Sequence, residues 1–196
     1  QHLERQCNGK TLFSHLGVTL LPGCLLRLTG GAASGKTTLL DILAGNRPCP
    51  RGLILFAGEE TRGDKDFFAD LHYFPETQQD ITLRWKVEKQ LQHWAKSGQN
   101  ELVQAAIRYF QLEALLGRRI AGLSAGERQQ VRLARLMIQP RALWLLDRPF
   151  LYLDEPGIRQ LENLIVSRCE QSGIVIFTHD GETRLNPHGL VELAPD

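Results

Sequence analysis

Residues 30–38 form the glycine-rich stretch that most constrains how this chain can fold. Its glycines, its lysine and the threonine after that lysine match the spacing G-x-x-x-x-G-K-[ST] of a phosphate-binding loop. An apolar, strand-like run over 25–29 precedes the stretch, and a helical pattern follows it. A strand, a loop and a helix in this order are the context that the motif requires. The stretch consists of Gly30, Gly31, Ala32, Ala33, Ser34, Gly35, Lys36, Thr37 and Thr38.

The chemistry that this motif predicts is phosphate binding together with a divalent cation. Glycines let the backbone fold around a triphosphate, so that several N–H groups and a helix N-terminus face its negative charge. Lys36 would bridge the β- and γ-phosphates, and the Thr37 hydroxyl would ligate Mg²⁺. The alternative is a glycine-rich turn that opens an ordinary helix. We favour nucleotide binding because the flanking patterns agree with it.

Composition and charge narrow the class of protein. The chain has 196 residues, enough for one domain or for one domain with a small insert. Its formal net charge is +1 and it has no run of five basic residues, which argues against nonspecific nucleic-acid binding. Its four cysteines lack C-x-x-C spacing and predict free thiols. We expect a chain that is soluble by itself, since no apolar run reaches the length of a membrane span or forms a signal-peptide core.

The order of the sequence patterns predicts an α/β fold. The runs 142–146 and 173–177 are almost wholly apolar, as in strands buried on both faces of a parallel sheet. A helical pattern over 156–170 separates them, and strand–helix–strand alternation indicates a parallel sheet. Another long helical pattern covers 125–138 and is stopped by Pro140.

The remaining segments predict a second β layer and a small helical insert. Apolar and polar residues alternate over 11–28, and a strand-like run covers 53–57, which indicates short strands of an antiparallel layer. Apolar residues recur at helical spacing from about 86 to 117. We therefore predict one domain in which a core with its β layer covers about 1–75 and 123–196, and a helical insert covers about 76–122.

Three further motifs follow the phosphate loop. Leu-Ser-Ala-Gly-Glu at 123–127 begins the long helical pattern. An apolar strand ends in Asp147, and Leu-Asp follows at 153–154. Thr-His at 178–179 ends the last apolar strand. Each motif is weak alone, because a lone histidine at a strand end is usually structural. Together, in this order, they are specific.

With these motifs the chain resembles the ATP-binding subunits of ABC transporters over nearly its whole length. The resemblance implies a P-loop NTPase fold with a RecA-like parallel sheet core, an ATPase activity, and ATP and Mg²⁺ as cofactors. It also implies that two copies dimerise head to tail. Each ATP would then lie between the phosphate loop of one copy and the signature of the other.

The resemblance assigns roles to residues near the triphosphate. Asp147 corresponds to the Walker B aspartate and would hold Mg²⁺ through water. His179 corresponds to the switch histidine, which touches the γ-phosphate and helps to polarise the attacking water. Gln78 is our choice for the Q-loop residue that links Mg²⁺ to the transmembrane partner, and Gln79 competes for that role.

Residues 123–127 correspond to the LSGGQ signature, and Leu-Asp at 153–154 corresponds to the D-loop. The Ser124 hydroxyl and the N–H groups near Gly126 would cap the γ-phosphate bound to the other copy, again with a helix N-terminus. The nucleotide-contacting residues implied here are Ser124, Ala125, Gly126, Glu127 and Asp154.

Several stretches resemble one branch of the family, the haem-exporter ATP-binding subunit of the cytochrome c maturation system. They include Lys-Thr-Leu-Phe at 10–13, Leu-Ala-Arg-Leu at 133–136 and Leu-Trp-Leu-Leu-Asp at 143–147. This branch implies integral-membrane permease subunits as partners. It also implies a position on the cytoplasmic face of the inner membrane or on the matrix side of an organelle membrane. Other small ABC transporters, such as lipoprotein-release systems, remain an alternative.

Arg148 departs from the family pattern, which has a glutamate after the Walker B aspartate to position or deprotonate the lytic water. A guanidinium stays protonated and accepts no hydrogen bond, so it cannot act as that base. Loss of a general base costs on the order of 10²–10⁴ in rate. We therefore expect ATP binding with slow hydrolysis. The alternative is a degenerate module that clamps a complex with little hydrolysis.

Smaller departures concern the loop, the signature and the adenine contact. Ala33 replaces a loop glycine, and Glu127 replaces the glutamine that ends the signature. No aromatic residue stands where adenine usually stacks, which leaves Arg5 as the nearest candidate, with a solvated surface charge as the equal alternative for that residue. A soluble ABC ATPase that acts on DNA or ribosomes is not favoured, because the sequence has no basic tract, heptad repeat or tandem domain.

Overall fold

Strands and helices alternate along most of the chain. The computed structural model describes residues 3–7, 10–48, 52–61, 64–95 and 98–193, and side chains from residue 17 onward. The strands are β1 (Leu3–Cys7), β2 (Lys10–Leu16), β3 (Leu25–Thr29), β4 (Leu55–Phe56), β5 (Glu59–Glu60), β6 (Leu71–Phe74), β7 (Leu143–Leu146), β8 (Ile174–Thr178) and β9 (Gly189–Glu192). The helices are α1 (Lys36–Leu43), α2 (Lys65–Ala69), α3 (Val87–Trp94), α4 (Asn100–Phe110), α5 (Ala125–Ile138) and α6 (Glu155–Glu170).

A five-stranded parallel sheet carries the phosphate loop. Its strand order is β6–β7–β8–β3–β9, and every neighbouring pair is parallel. All four residues of β7 are buried, as the continuous apolar run predicts. The carboxyl ends of parallel strands meet at one edge of a sheet. Adjacent strands β7, β8 and β3 therefore bring Asp147, Thr178 and the phosphate loop to the same edge.

The predicted α/β class is confirmed, and so is the antiparallel β layer. β1 pairs antiparallel with β2, and β4 pairs antiparallel with β5. The strand predicted over 53–57 is shorter than expected, because Ala57 and Gly58 adopt left-handed φ angles of 52° and 89° and turn the chain. Two edge strands of the parallel sheet, β6 and β9, were not predicted. Each has only four residues, too few for a clear period, and contains polar residues or glycine, unlike the wholly apolar β7.

The chain divides into two compact units, which we name the sheet unit (1–76, 142–149 and 166–196) and the helical unit (77–141 and 150–165). The core of the sheet unit packs α1 against the sheet, with Leu40 and Leu145 wholly buried. The sequence patterns place 123–141 with the core, whereas the structure groups α5 with the helices of the insert. The physical reason is packing, since α5 contacts both α3 and α4.

A buried ion pair fixes the loop that carries Gln78 within the helical unit. Arg132 of α5 donates from Nε to Asp80 Oδ1 at 2.7 Å and from Nη2 to the Thr77 carbonyl at 3.2 Å. The two side chains are only 1% and 7% exposed. Arg132 also donates to Gln129 Oε1 at 2.9 Å. This network ties the loop over 77–80 to the helix that begins at the signature.

We predict that Asp80→Asn lowers the free energy of unfolding by about 3 kcal/mol, because it removes the buried carboxylate charge that Arg132 contacts at 2.7 Å. The matched control is Glu155→Gln, which breaks the exposed pair between Glu155 and Arg159 on α6. That change should stay within about 0.5 kcal/mol of the parent. Urea unfolding of the three proteins measures both values. Equal effects of the two substitutions would contradict the assigned role of Asp80.

Candidate nucleotide-binding site

The phosphate loop connects β3 to α1 through residues with left-handed backbone angles. Gly30, Ala33 and Gly35 have φ angles of 140°, 62° and 96°. A Cβ atom on Gly30 would lie 2.2 Å from the Leu193 carbonyl oxygen, so only glycine fits there. Ala33 adopts a conformation that favours glycine, at a cost on the order of 1 kcal/mol. The loop therefore holds its shape although it has one glycine fewer than the family pattern.

Lys36 folds back over the loop. Its ammonium group donates to the carbonyl oxygens of Gly30 and Gly31, the latter at 3.1 Å, and lies 3.5 Å from Asp180 Oδ1. The hydroxyl of Ser34 is buried and has no hydrogen-bond partner among the residues that the structure describes. A cradle with an ammonium group and a spare hydroxyl offers the donors that a triphosphate requires. The residues present fit the predicted nucleotide.

Asp147 connects the phosphate loop to the last apolar strand. The Thr37 hydroxyl donates to Asp147 Oδ2 at 2.6 Å, and the Thr178 hydroxyl donates to Asp147 Oδ1 at 2.7 Å. Asp147 is 1% exposed. A hydroxyl and a carboxylate are the oxygen ligands that Mg²⁺ prefers, directly or through water. The structure thus brings together Thr37 and Asp147, two of the three residues predicted to serve Mg²⁺.

His179 lies in the turn that follows β8. Its Nε2 atom is 3.0 Å from the Glu182 carbonyl oxygen. Arg27 of β3 fixes the turn, because it donates from Nε to the His179 carbonyl at 3.0 Å and from Nη2 to the Gly181 carbonyl at 2.7 Å. No sequence pattern pointed to Arg27, since a single arginine in a strand gives no sign of where its partners lie.

The backbone of Arg148 is fixed by a hydrogen bond, and its exposed side chain pairs with two carboxylates. Its φ angle is 47°, and its N–H donates to the Thr178 hydroxyl at 2.7 Å. Its guanidinium donates to Glu76 Oε1 at 3.2 Å and lies 3.6 Å from Asp180 Oδ2. The charge of Glu76, together with its hydrogen bond, raises the pKa of Arg148, and Asp180 adds to the effect. The side chain is therefore a cation at neutral pH.

The signature residues begin helix α5 with a complete capping box. The Glu127 N–H donates to Ser124 Oγ at 3.1 Å, and the Ser124 N–H donates to Glu127 Oε2 at 2.7 Å. Arg118 donates to Glu127 Oε1 at 2.6 Å. The hydrogen bond from the Ser124 backbone, aided by Arg118, lowers the pKa of Glu127. Ala125 and Gly126 form the first turn behind this cap, and Gly126 leaves room for the Tyr152 carbonyl, which would lie 2.9 Å from an added Cβ.

Other predicted site residues have plain structural contacts. Asp154 accepts a hydrogen bond from the Gly157 N–H at 2.9 Å and so caps α6. Gln78 is partly buried and Gln79 is exposed in the loop that Arg132 anchors. The side chain of Arg5, the candidate adenine contact, lies outside what the structure describes. None of the helices in the described parts of the chain combines the length and the apolar character of a membrane span.

We predict that Gly30→Ala lowers the free energy of unfolding by at least about 2 kcal/mol, because the new Cβ would collide with the Leu193 carbonyl at a strained φ. Gly31→Ala is the matched control, since its Cβ would meet no atom within 4 Å. The control should unfold within about 0.5 kcal/mol of the parent. Thermal unfolding of the two variants checks this, and a stable Gly30→Ala protein would show that the described loop conformation is wrong.

Similarity to known proteins extends over most of the chain. The family model of the ABC transporter matches residues 13–151. The cytochrome c biogenesis ATP-binding export protein CcmA of Wolbachia pipientis wMel is 35% identical over 188 residues, which cover 93% of this chain and 89% of the relative. CcmA 2 of Salmonella paratyphi A is 34% identical over 177 residues, which cover 90% and 85% of the two chains.

A solved structure gives the same fold. A putative ABC transporter ATP-binding protein from Pyrococcus furiosus superposes with a TM-score of 0.83, at 23% identity, over 98% of this chain and 95% of its own length. At that level of identity the likeness shows the fold alone. The family model and the CcmA relatives show more, because they cover most of the chain at higher identity. The chain belongs to the ABC transporter family, as an ATP-binding subunit similar to the CcmA proteins.

Proposed function

We propose that this chain is the ATPase subunit of a membrane complex that acts in cytochrome c biogenesis, by haem export or by release of a haem-carrying chaperone. Its relatives are named cytochrome c biogenesis ATP-binding export proteins, which supports this branch of the family. Integral-membrane permease subunits would be its partners. It would work as a peripheral protein on the cytoplasmic face of the inner membrane or on the matrix side of an organelle membrane.

The observation that carries the proposal is the cluster of Lys36, Thr37 and Asp147 at the carboxyl edge of the sheet. Lys36 would exchange the Gly30 and Gly31 carbonyls for phosphate oxygens. Thr37 and Asp147, already joined by a 2.6 Å hydrogen bond, would open to hold Mg²⁺, with Gln78 as the third residue. The bound cation would neutralise charge on the β- and γ-phosphates. His179 would contact the γ-phosphate from the turn that Arg27 fixes.

A homodimer would complete the site. In the proposed arrangement the Ser124 hydroxyl and the N–H groups of Ala125 and Gly126 in one copy face the γ-phosphate held by the other copy. The capping box supports this role, because it fixes the helix N-terminus before nucleotide binds. Arg118 also offsets the Glu127 carboxylate, which would otherwise repel a phosphate. Asp154 would contribute from the D-loop.

We propose that hydrolysis in this complex is slow. Arg148 is a cation bound to two carboxylates and offers no lone pair to the lytic water. The second candidate function is a degenerate module that binds ATP to clamp a complex and leaves hydrolysis to another subunit. Its support is the same residue. The two candidates predict different results for the parent complex. A slow ATPase shows turnover that depends on the phosphate loop of this chain, whereas a clamp does not.

We predict that Lys36→Ala abolishes nearly all ATP turnover by the complex with its membrane partners, because the ammonium that holds the triphosphate is lost. Lys65→Ala, at an exposed position where α2 begins, is the matched control and should leave turnover unchanged. Phosphate release measured on the reconstituted complex checks both. Turnover that survives Lys36→Ala would remove the ATPase assignment, and a parent complex that binds ATP without turnover would favour the clamp.

We predict that Arg148→Glu raises turnover at saturating ATP by about tenfold or more, because it restores a carboxylate beside the Walker B aspartate. Arg148→Gln is the matched control, since it removes the cation without supplying a base, and it should raise turnover far less. Steady-state phosphate release at saturating ATP separates the two variants. If Arg148→Glu and Arg148→Gln behave alike, another group acts as the base in this protein.

A further inference from the structure

A single carboxylate bridges two cations at the phosphate loop. Asp180 Oδ1 lies 3.5 Å from the Lys36 ammonium, and Asp180 Oδ2 lies 3.6 Å from Nη2 of Arg148. The bridging side chain is 46% exposed, so it can leave without a burial cost. Lys36 and Arg148 therefore converge on one anion at the site where the loop is expected to hold a triphosphate.

The backbone of Arg148 is locked to the residues expected to serve Mg²⁺. Its N–H donates to the Thr178 hydroxyl at 2.7 Å, and that hydroxyl donates to Asp147 Oδ1 at 2.7 Å. The left-handed φ of 47° at Arg148 turns the chain at this point. Because the Arg148 backbone is fixed next to Asp147, its side chain begins close to the place where the terminal phosphates of a nucleotide are expected to lie. Its guanidinium ends a long side chain that is 45% exposed, so it can reorient while the backbone stays fixed.

We propose that Arg148 binds the terminal phosphate of ATP in the place that Asp180 takes here, and that it makes the site select ATP over ADP. This inference deepens the proposed function and rests on nucleotide binding at residues 30–38. A guanidinium matches phosphate oxygens with two parallel N–H donors, and charge-assisted hydrogen bonds of this kind are the strong ones. The exposed ion pairs of Arg148 with Asp180 and Glu76 are weak by comparison and exchange readily.

In this proposal the residue after Asp147 has a different chemical role from that of a glutamate. A glutamate there would act on the water, whereas Arg148 acts on the phosphate that the water would attack. Because ADP lacks that phosphate, the contribution of Arg148 should appear in the affinity for ATP and be absent from the affinity for ADP. Asp180 then works as the competing anion that occupies Lys36 and Arg148 until a terminal phosphate arrives.

The test is calorimetric titration of the chain with the Mg²⁺ complexes of the β,γ-imido analogue of ATP and of ADP. Arg148→Gln should weaken binding of the triphosphate by about tenfold and leave ADP binding within about twofold, so that the preference for ATP falls by about tenfold. Arg148→Lys keeps the positive charge but lacks the two parallel N–H donors, and it should retain part of the preference for ATP over ADP. Asp180→Asn removes the competitor and should strengthen triphosphate binding.

Three outcomes would overturn the inference. Arg148→Gln could weaken both nucleotides equally, it could change neither, or Asp180→Asn could weaken the triphosphate. The titrations are repeated in a Ser124→Ala background, which removes the signature hydroxyl from the proposed seam, and the loss of preference should persist there. If the parent protein binds neither nucleotide, the proposed function itself fails, and that result is distinct from a loss of selectivity. Thermal unfolding of each variant confirms that it is folded.

Discussion

The two hydrogen bonds that Asp147 accepts, from Thr37 and Thr178, are the interaction on which the rest of the site depends. A carboxylate that is 1% exposed would be costly without such partners, because burial removes the water that stabilises its charge. The bonds join the start of α1, the end of β7 and the end of β8 at one edge of the sheet. Arg148 is attached to the same point through the Thr178 hydroxyl. The loop predicted to receive phosphate and the residues predicted to serve Mg²⁺ thus share one buried anchor.

Charged side chains surround this anchor. The position after the Walker B aspartate is a cation, and carboxylates lie beside it at Glu76 and Asp180 instead. These two carboxylates follow strands β6 and β8. Asp180 also contacts Lys36, which connects the turn after β8 to the phosphate loop. Two cations that meet one exposed carboxylate agree with nucleotide binding whatever the rate of hydrolysis.

The helical unit is organised around α5. The helix begins with a capping box that satisfies its first N–H groups, and Arg132 in its buried face holds the loop of Gln78 through Asp80. A buried ion pair is sensitive to the loss of either partner but contributes little net stability over an apolar pair. The role of this ion pair is to position the loop. It fixes the loop of Gln78, which is predicted to face a membrane partner, relative to helix α5.

The sequence by itself determined the features that depend on neighbours along the chain. The glycines, Lys36 and Thr37 specify the loop through backbone freedom and side-chain chemistry, and the helical period and caps specify α5 at its observed bounds. The roles of Gln78, His179 and the signature stay predictions that rest on the family resemblance.

The tertiary structure decided which distant residues meet. Thr37 and Asp147 are 110 residues apart in the chain, and Arg27 lies 152 residues from the carbonyl that it holds. Likewise, no local sequence pattern indicates the burial of Arg132, the pairing of Arg148 with Asp180 or the edge strands β6 and β9. Propensity and periodicity report only how a segment folds. Which distant residues become hydrogen-bond partners depends on how the strands of the sheet align. A polar group buried by that alignment then pairs with a donor or acceptor near it.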